Sequence, residues 1–530
     1  PRPGAQAAPP PRVAAPVNVP PPSARGFGTA GASTAQANAG GFAALFPPGN
    51  NKPAAPLSAA DINTIVSQAA NSINSTTMVV AVVDRQGTIL GLFRKSGGAV
   101  GDRDAAVALA RTAAFFSHKQ AVLTSRTVRF ISGEHFPPNI QFTANGALFG
   151  IEQNNRGCDL NLTYNAGQSF PQLLAAAGGV CDSGSQAGCG LGSLTIPGSF
   201  PLYKGNDLVG AVGVFGVGPP LTPDPQGGLR RQAVGYEAAE FAAVQGAAGF
   251  EPPQFSGGDI FIDGIRLPGV TQTVLPPGFA PDPGGFAGGT FDIGPAAGAP
   301  AGSTAVPSGF LVGPTAGGSL TLADVNQIIQ QSIATADRTR AAIRLPFAER
   351  ARMIFAVGDV NGNILAVFRQ SDSTIFSLDV AVTKARNVVY FSGAAVAAPD
   401  RVGLPNGTAV TNRTISFGSQ RFFPAGIDFA GPGPFRDVFL NDALNPCSQG
   451  RQAVNANQSG IVFFPGSVPL YKNGVLVGGL GVSGDGVEQD DFVAAGGASG
   501  FEPPPGIRSD QFKINGVRMP YLKFPRNPTK

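Results

Sequence analysis

The chain is poor in the residues that carry most protein chemistry. Its 530 residues include 2 His, 4 Cys, 3 Met and no Trp, and charged residues make up 13%, about half the usual share. Two histidines exclude a histidine-rich metal centre, so metal chemistry would have to rest on carboxylates or cysteines. With 37 Lys+Arg against 33 Asp+Glu the formal charge is +4. The clustered cations that a nucleic-acid groove requires are therefore missing. No run reaches the roughly 18 apolar residues of a transmembrane helix. The cysteines form no C-x-x-C and no C-x-x-C-H, which excludes the common zinc spacings and covalent c-type haem attachment. In excess are Gly 73 and Pro 48, beside 43% hydrophobic residues. Such a composition describes a folded chain with long loops, and its length exceeds one ordinary domain.

Low charge, Asn/Gln/Ser/Thr-rich loops and a first residue Pro1 rather than Met read as exported material, extracellular or periplasmic, with a leader removed upstream. In an oxidising compartment the cysteines would be bridged. Four cysteines allow three pairings. Cys181 and Cys189 flank a short Gly/Ser segment and are the favoured pair, while Cys158 and Cys447 sit in comparable insertions of two repeated halves.

That repetition is the firmest feature of the sequence. Asp84-Arg-Gln-Gly87 through Phe93-Arg94 returns as Asp359-Val-Asn-Gly362 through Phe368-Arg369, and Asp104 to Arg111 as Asp379 to Arg386. Pro-Leu-Tyr203-Lys204 returns as Pro-Leu-Tyr471-Lys472, and Gly249-Phe-Glu-Pro-Pro253 as Gly500-Phe-Glu-Pro-Pro504. An Arg-rich insertion from Arg338 to Arg352 accounts for a change in spacing. The expected organisation is an N-terminal Pro/Ala/Gly-rich arm over 1–56, module 1 over 57–266, a Pro/Gly-rich linker over 267–318, module 2 over 319–524 and a tail over 525–530.

Within a module, Ser58 with Asp61, and Thr321 with Asp324, resemble capping boxes that open helices. Ile62, Ile65, Val66, Ala69, Ala70 and Ile73 fall on one helical stripe. Asp84 to Gly87 reads as a hairpin turn, and Asn473-Gly474 as a type I′ turn. A calcium loop is not supported at Asp84, since only one acid is present. The order helix, hairpin, helix, hairpin, helix predicts an α+β module: a small antiparallel sheet backed by helices.

The strand-Asp-x-x-Gly-strand ending in Phe-Arg, the helix carrying Asp379, Lys384, Ala385 and Arg386, and the run from Phe464 to Gly484 with Glu488-Gln489-Asp490 together resemble a haem-binding and haem-degrading family. That family includes HbpS-like proteins, GlcG-like proteins and the C-terminal domain of PduO-type corrinoid adenosyltransferases. The second half resembles it closely. The first is divergent, with Val214-Phe-Gly-Val in place of Gly-Val-Ser-Gly. The resemblance implies a five-stranded antiparallel sheet flanked by helices, oligomeric assembly, and non-covalent haem or tetrapyrrole binding in some members. Members with an axial histidine carry it in the first helix, where neither half has one.

His118, just beyond the Asp104 helix, is the candidate axial ligand. Arg94, Arg111, Arg369, Lys384 and Arg386 are candidates to clamp carboxylates such as haem propionates. The plainer roles are a surface or capping histidine for His118 and His135, and ion pairs to Asp104 or Asp379 for the cations. Tyr203 and Tyr471 could ligate iron but precede turns, where packing is commoner. No nucleophile-base pair is visible, so catalysis is not supported. The sequons at Asn74, Asn161, Asn406, Asn412 and Asn457 arise readily by chance in polar loops. Three functions compete. The first is an exported, non-enzymatic accessory subunit whose partners are protein chains; the second is a haem or tetrapyrrole binder or degrader using His118 or a tyrosine; the third is a GlcG-like small-molecule redox accessory protein.

Overall fold

The computed structural model describes residues 53–156, 158, 192–217, 236–252 and 260–530, together with the backbone of 222–223 and 229–230. Its first helix, α1 (Ala59–Ser72), begins at a complete capping box. Ser58 Oγ accepts from the Asp61 N–H at 3.2 Å, and Asp61 Oδ2 accepts from the Ser58 N–H at 2.7 Å. The predicted stripe of Ile62, Ile65, Val66, Ala69 and Ala70 is buried. Strands β1 (Val79–Asp84) and β2 (Ile89–Lys95) follow, then α2 (Asp102–Phe116), α3 (Ser125–Phe130), β3 (Ser199–Lys204), β4 (Asp207–Phe215) and α4 (Tyr236–Gly246). Beyond these comes β5 (Gly289–Ile293), and the sheet order is β3-β4-β1-β2-β5, antiparallel throughout.

The second half repeats the plan with β6 (Gly309–Val312), α5 (Leu322–Ala336), β7 (Ile354–Asp359), β8 (Ile364–Arg369), α6 (Ser377–Ser392), α7 (Asn412–Gly418), α8 (Arg436–Leu444), β9 (Ser467–Lys472), β10 (Val475–Ser483) and α9 (Val487–Gly497). Its order, β6-β8-β7-β10-β9, is that of the first sheet read from the other edge. The architecture is the α+β design that the element order predicts. The repeat extends to single contacts. Lys204 pairs with Asp61 at 2.7 Å and Lys472 with Asp324 at 2.9 Å, while Arg126 meets Glu240 and Arg413 meets Asp491 at equivalent places. Asn473 and Gly474 both take positive φ, as a type I′ turn requires.

Strand alternation explains the layering. Val79, Ala81 and Val83 of β1 pack in one cluster with α2, whereas Val80 and Val82 pack with α1 and α4. In the second half Ile354 and Ala356 join the α6 side, and Phe355 and Val357 the side of α5 and α9. Both faces of each sheet are covered, which is why the strands read as unbroken apolar runs. Gly213 and Gly481 let α2 and α6 lie on the sheets: a Cβ there would strike the Ala106 and Ala381 carbonyls.

The segment 267–318 differs from its reading as a linker, because it supplies the outer strand of both sheets, β5 against β2 and β6 against β8. Edge strands pair on one side only, so few side chains need burial and the apolar signal is weak. The pair Cys158–Cys447 is a disulfide across a sequence separation of 289. Cys181 and Cys189 lie outside the described residues, as does most of the arm 1–56.

Each capping box has a measurable contribution. Ser58→Ala or Thr321→Ala is expected to lower the stability of its half by about 1 kcal/mol, read as a shift in a urea midpoint, since each removes the acceptor for a helix N–H.

Candidate functional site

The two halves, within residues 53–530, form one unit because their inner layers share a core. One apolar cluster runs from α2 through α6. Phe116 and Phe376 stack with ring centroids 4.0 Å apart, and the Ile375 N–H donates to the Phe115 carbonyl at 2.9 Å. Here the fold buries an unusual set of charges. Arg344, from the Arg-rich insertion, is wholly enclosed; its guanidinium donates to Gln120 Oε1 at 2.9 Å, to Asp372 Oδ2 at 3.2 Å, to the Asp372 carbonyl at 2.6 Å and to Asp485. Arg85 and Arg369 complete the group. Arg85 donates to the Ala114 carbonyl, and Arg369 to the carbonyls of Val306 at 2.8 Å and Ser373 at 2.7 Å. Burial lowers Arg85 to about 10; burial and then the Arg85 charge lower Arg369 to about 9.

His118 stands at the edge of this group, 0% exposed. Its Nδ1 accepts from the Gln120 N–H at 3.2 Å and lies 3.3 Å from the Arg344 guanidinium. With donors on Nδ1, the ring proton belongs on Nε2, which faces Asp485 Oδ1 at 4.0 Å. Burial first, then the Arg344 and Arg85 charges, hold this imidazole neutral, well below its ordinary pKa. Neither nitrogen offers an open lone pair.

The other predicted residues are engaged elsewhere. Arg94 forks onto Asp292 of β5 at 3.0 and 3.2 Å, which keeps that carboxyl below the usual range. Arg111 donates to the Gly87 carbonyl at 3.0 Å and Arg386 to the Gly362 carbonyl at 3.1 Å, each behind its Asp-x-x-Gly turn. Lys384 donates to Asp490 at 3.1 Å and to the Val482 carbonyl at 2.8 Å, with its ammonium 4.9 Å from the centre of the Phe464 ring. Tyr203 donates its hydroxyl to the His118 carbonyl at 3.0 Å, and burial pushes Tyr471 up to about 12. Of the acids named in the plainer role, Asp104 lies close enough for its charge to act on Arg111, while Asp379 is held by Asn155, whose backbone N–H and Nδ2 donate to it at 2.9 and 2.5 Å.

A haem would need an iron ligand with a free lone pair, an apolar slot and accessible cations. The set around His118 does not fit: the ring is wholly buried with donors on its Nδ1, and Arg344, Arg369 and Lys384 are buried and committed. The small cavity bounded by Phe391, Asp400, Leu404, Val410 and Phe435 has about 10 Å³, room for a single water. Among the described residues no three His, Cys, Asp or Glu side chains converge as metal ligands.

Sequence reasoning missed Arg85, Arg344, Asp372 and Asp485. The insertion bearing Arg344 was visible, but a charged residue gives no signal of burial until its partners are placed. It also missed a second seam, where Arg156 donates to the Asp442 carbonyl at 2.8 Å, Phe149 stacks on Phe439 at 5.2 Å, and Cys158 meets Cys447.

Residues 320–499 match the family model described as haem degrading protein HbpS-like. An uncharacterized 15.0 kDa protein from the dhaT-dhaS intergenic region of Citrobacter freundii is 25% identical over 169 residues, covering 32% of this chain and 89% of that protein. Two solved structures are similar at 20% identity: a PduOC:haem complex, over 34% of this chain and 94% of its own with TM-score 0.23, and a double mutant of Streptomyces reticuli HbpS, over 35% and 88% with TM-score 0.20. The second half of the chain, over residues 320–499, is an HbpS-like domain.

Proposed function

We propose that this protein binds haem or a related tetrapyrrole without turning it over, and that binding does not use His118. The match of 320–499 to a haem-degrading family carries the reading. The reading without degradation is supported by the engagement of the candidate residues: Arg94, Arg111, Arg369, Lys384 and Arg386 all bond within the chain, and His118 is wholly buried. A haem titration followed in the Soret region tests it. The expected result is a saturable shift that His118→Gln leaves within about twofold in affinity, which is under half a kcal/mol. No shift in the unmodified chain would remove the reading, and loss of the shift in a folded His118→Gln chain would restore histidine ligation.

A second reading, an exported accessory subunit in an assembly of protein chains, is favoured by a specific observation. The halves are fastened to each other by a shared core, the hydrogen bond from Arg344 to Gln120, the Arg156–Asp442 ion pair and a disulfide. That construction suits a rigid scaffold. Purification in a defined complex with another chain, combined with no haem response, is the result that selects it.

A further inference from the structure

Of the three guanidinium groups at the joint of the halves, only one is matched by acids. Arg344 donates to the carboxylates of both Asp485 and Asp372. Among the described residues, Arg85 and Arg369 hydrogen-bond to backbone carbonyls alone: Ala114 for the first, Val306 and Ser373 for the second. Asp372 acts on these two only through space. Three cations thus face two acids, because His118 beside them is held neutral. Burial lowers Arg85 and Arg369 to about 10 and about 9, which leaves both charged at neutral pH. One positive charge therefore stands uncompensated in an interior where charges are otherwise paired.

The two unmatched groups converge on one spot. Arg85 bonds the Ala114 carbonyl near the end of α2, and the next carbonyl, that of Phe115, accepts from the Ile375 N–H at 2.9 Å. Two residues before Ile375, Ser373 supplies the carbonyl that Arg369 bonds at 2.7 Å. Each guanidinium keeps an Nε–H that is sealed from solvent and meets no acceptor, and the hydroxyl of the same Ser373 is buried without a partner. Buried donors left in this way call for an acceptor that the chain itself does not supply.

We propose that Arg85 Nε, Arg369 Nε and the Ser373 hydroxyl enclose a single chloride ion, an internal anion site between the halves. The surplus is one charge, so a monovalent anion balances it where sulfate or phosphate would overshoot. A water molecule would accept the hydrogen bonds but leave the charge. Donors without exposed surface exclude a larger organic anion, a haem propionate included. Arg85 comes from the first half and Arg369 and Ser373 from the second, so the ion ties the two together.

Urea unfolding of the full chain tests the site, with sodium gluconate replaced stepwise by sodium chloride at constant ionic strength. An ion held only by the folded state stabilises it by mass action, so each tenfold rise in chloride above its dissociation constant should lower the unfolded-to-folded ratio about tenfold. Arg85→Met removes a donor and the surplus charge together, and should abolish that dependence. Should the variant fail to fold, crystals of the unmodified chain grown in sodium bromide should show an anomalous-scattering peak between the two Nε atoms. Midpoints that do not respond to chloride, a response that persists in a folded Arg85→Met chain, or bromide-grown crystals with no peak at this site would each overturn the proposal.

Discussion

Arg344→Leu should lower the stability of the folded chain by about 3–5 kcal/mol, the cost of stranding a buried charge. The guanidinium neutralises Asp485, which is fully buried and whose Oδ1 has no hydrogen-bond partner. It also bonds Gln120 in the other half and Asp372 beside it. Leucine fills much of the space but leaves the carboxylate dry and unpaired. Because Gln120 and His118 come from the first half and Asp372 and Asp485 from the second, the loss should appear as weakened cohesion between halves. A guanidinium titration of both chains measures it. Asp485→Asn in the Arg344→Leu background should recover part of the loss, since it removes the stranded charge. A loss below about 1 kcal/mol would mean that water reaches Asp485, contrary to its enclosure.

The second large effect is a dependence on pH that runs opposite to the usual one for carboxylates. Asp379 is buried, and burial pushes its carboxyl up to about 7, only partly opposed by the backbone N–H groups of Asn155 and Val380. Unfolded, it returns to about 3.8. The native state therefore holds a proton between these values that the unfolded state has lost. Stability from this group is full below pH 3.8 and disappears as pH rises through 7. Lowering the pH from 7 to 5 should add about 2 kcal/mol through Asp379 alone. Burial also raises Asp442 to about 7, although Arg156 opposes it there; Asp379, held by the neutral Asn155, is the cleaner probe. Urea midpoints at pH 5 and 7 should differ less in Asp379→Asn than in the unmodified chain. Equal differences would show that the carboxylate is already charged at pH 5.

Both effects arise from burial, which the sequence did not show even where it pointed to Asp379. Lys384 and Arg369 were legible as functional candidates because they sit at family-like positions, yet their partners, Asp490 in one case and the Val306 and Ser373 carbonyls in the other, lie on elements distant in sequence. A basic residue reads the same whether it clamps a ligand or holds a helix to a strand. His118 illustrates the limit most clearly. Its place after a helix suggested a ligand, and only the arrival of Gln120 and Arg344 at its Nδ1 shows that the lone pair is taken.

The sequence by itself determined the doubling, the capping boxes at Ser58 and Thr321, the Asp-x-x-Gly and Asn-Gly turns, and the alternation of helices and hairpins. These are local properties: a cap or tight turn depends on residues three or four apart, and a buried strand declares itself by composition. Tertiary structure alone decided that 289–293 and 309–312 complete the sheets, that Cys158 pairs with Cys447, and that three arginines lie in the joint between halves. Each of those outcomes brings together residues far apart along the chain, and whether a charge or an edge is exposed is settled by what packs against it.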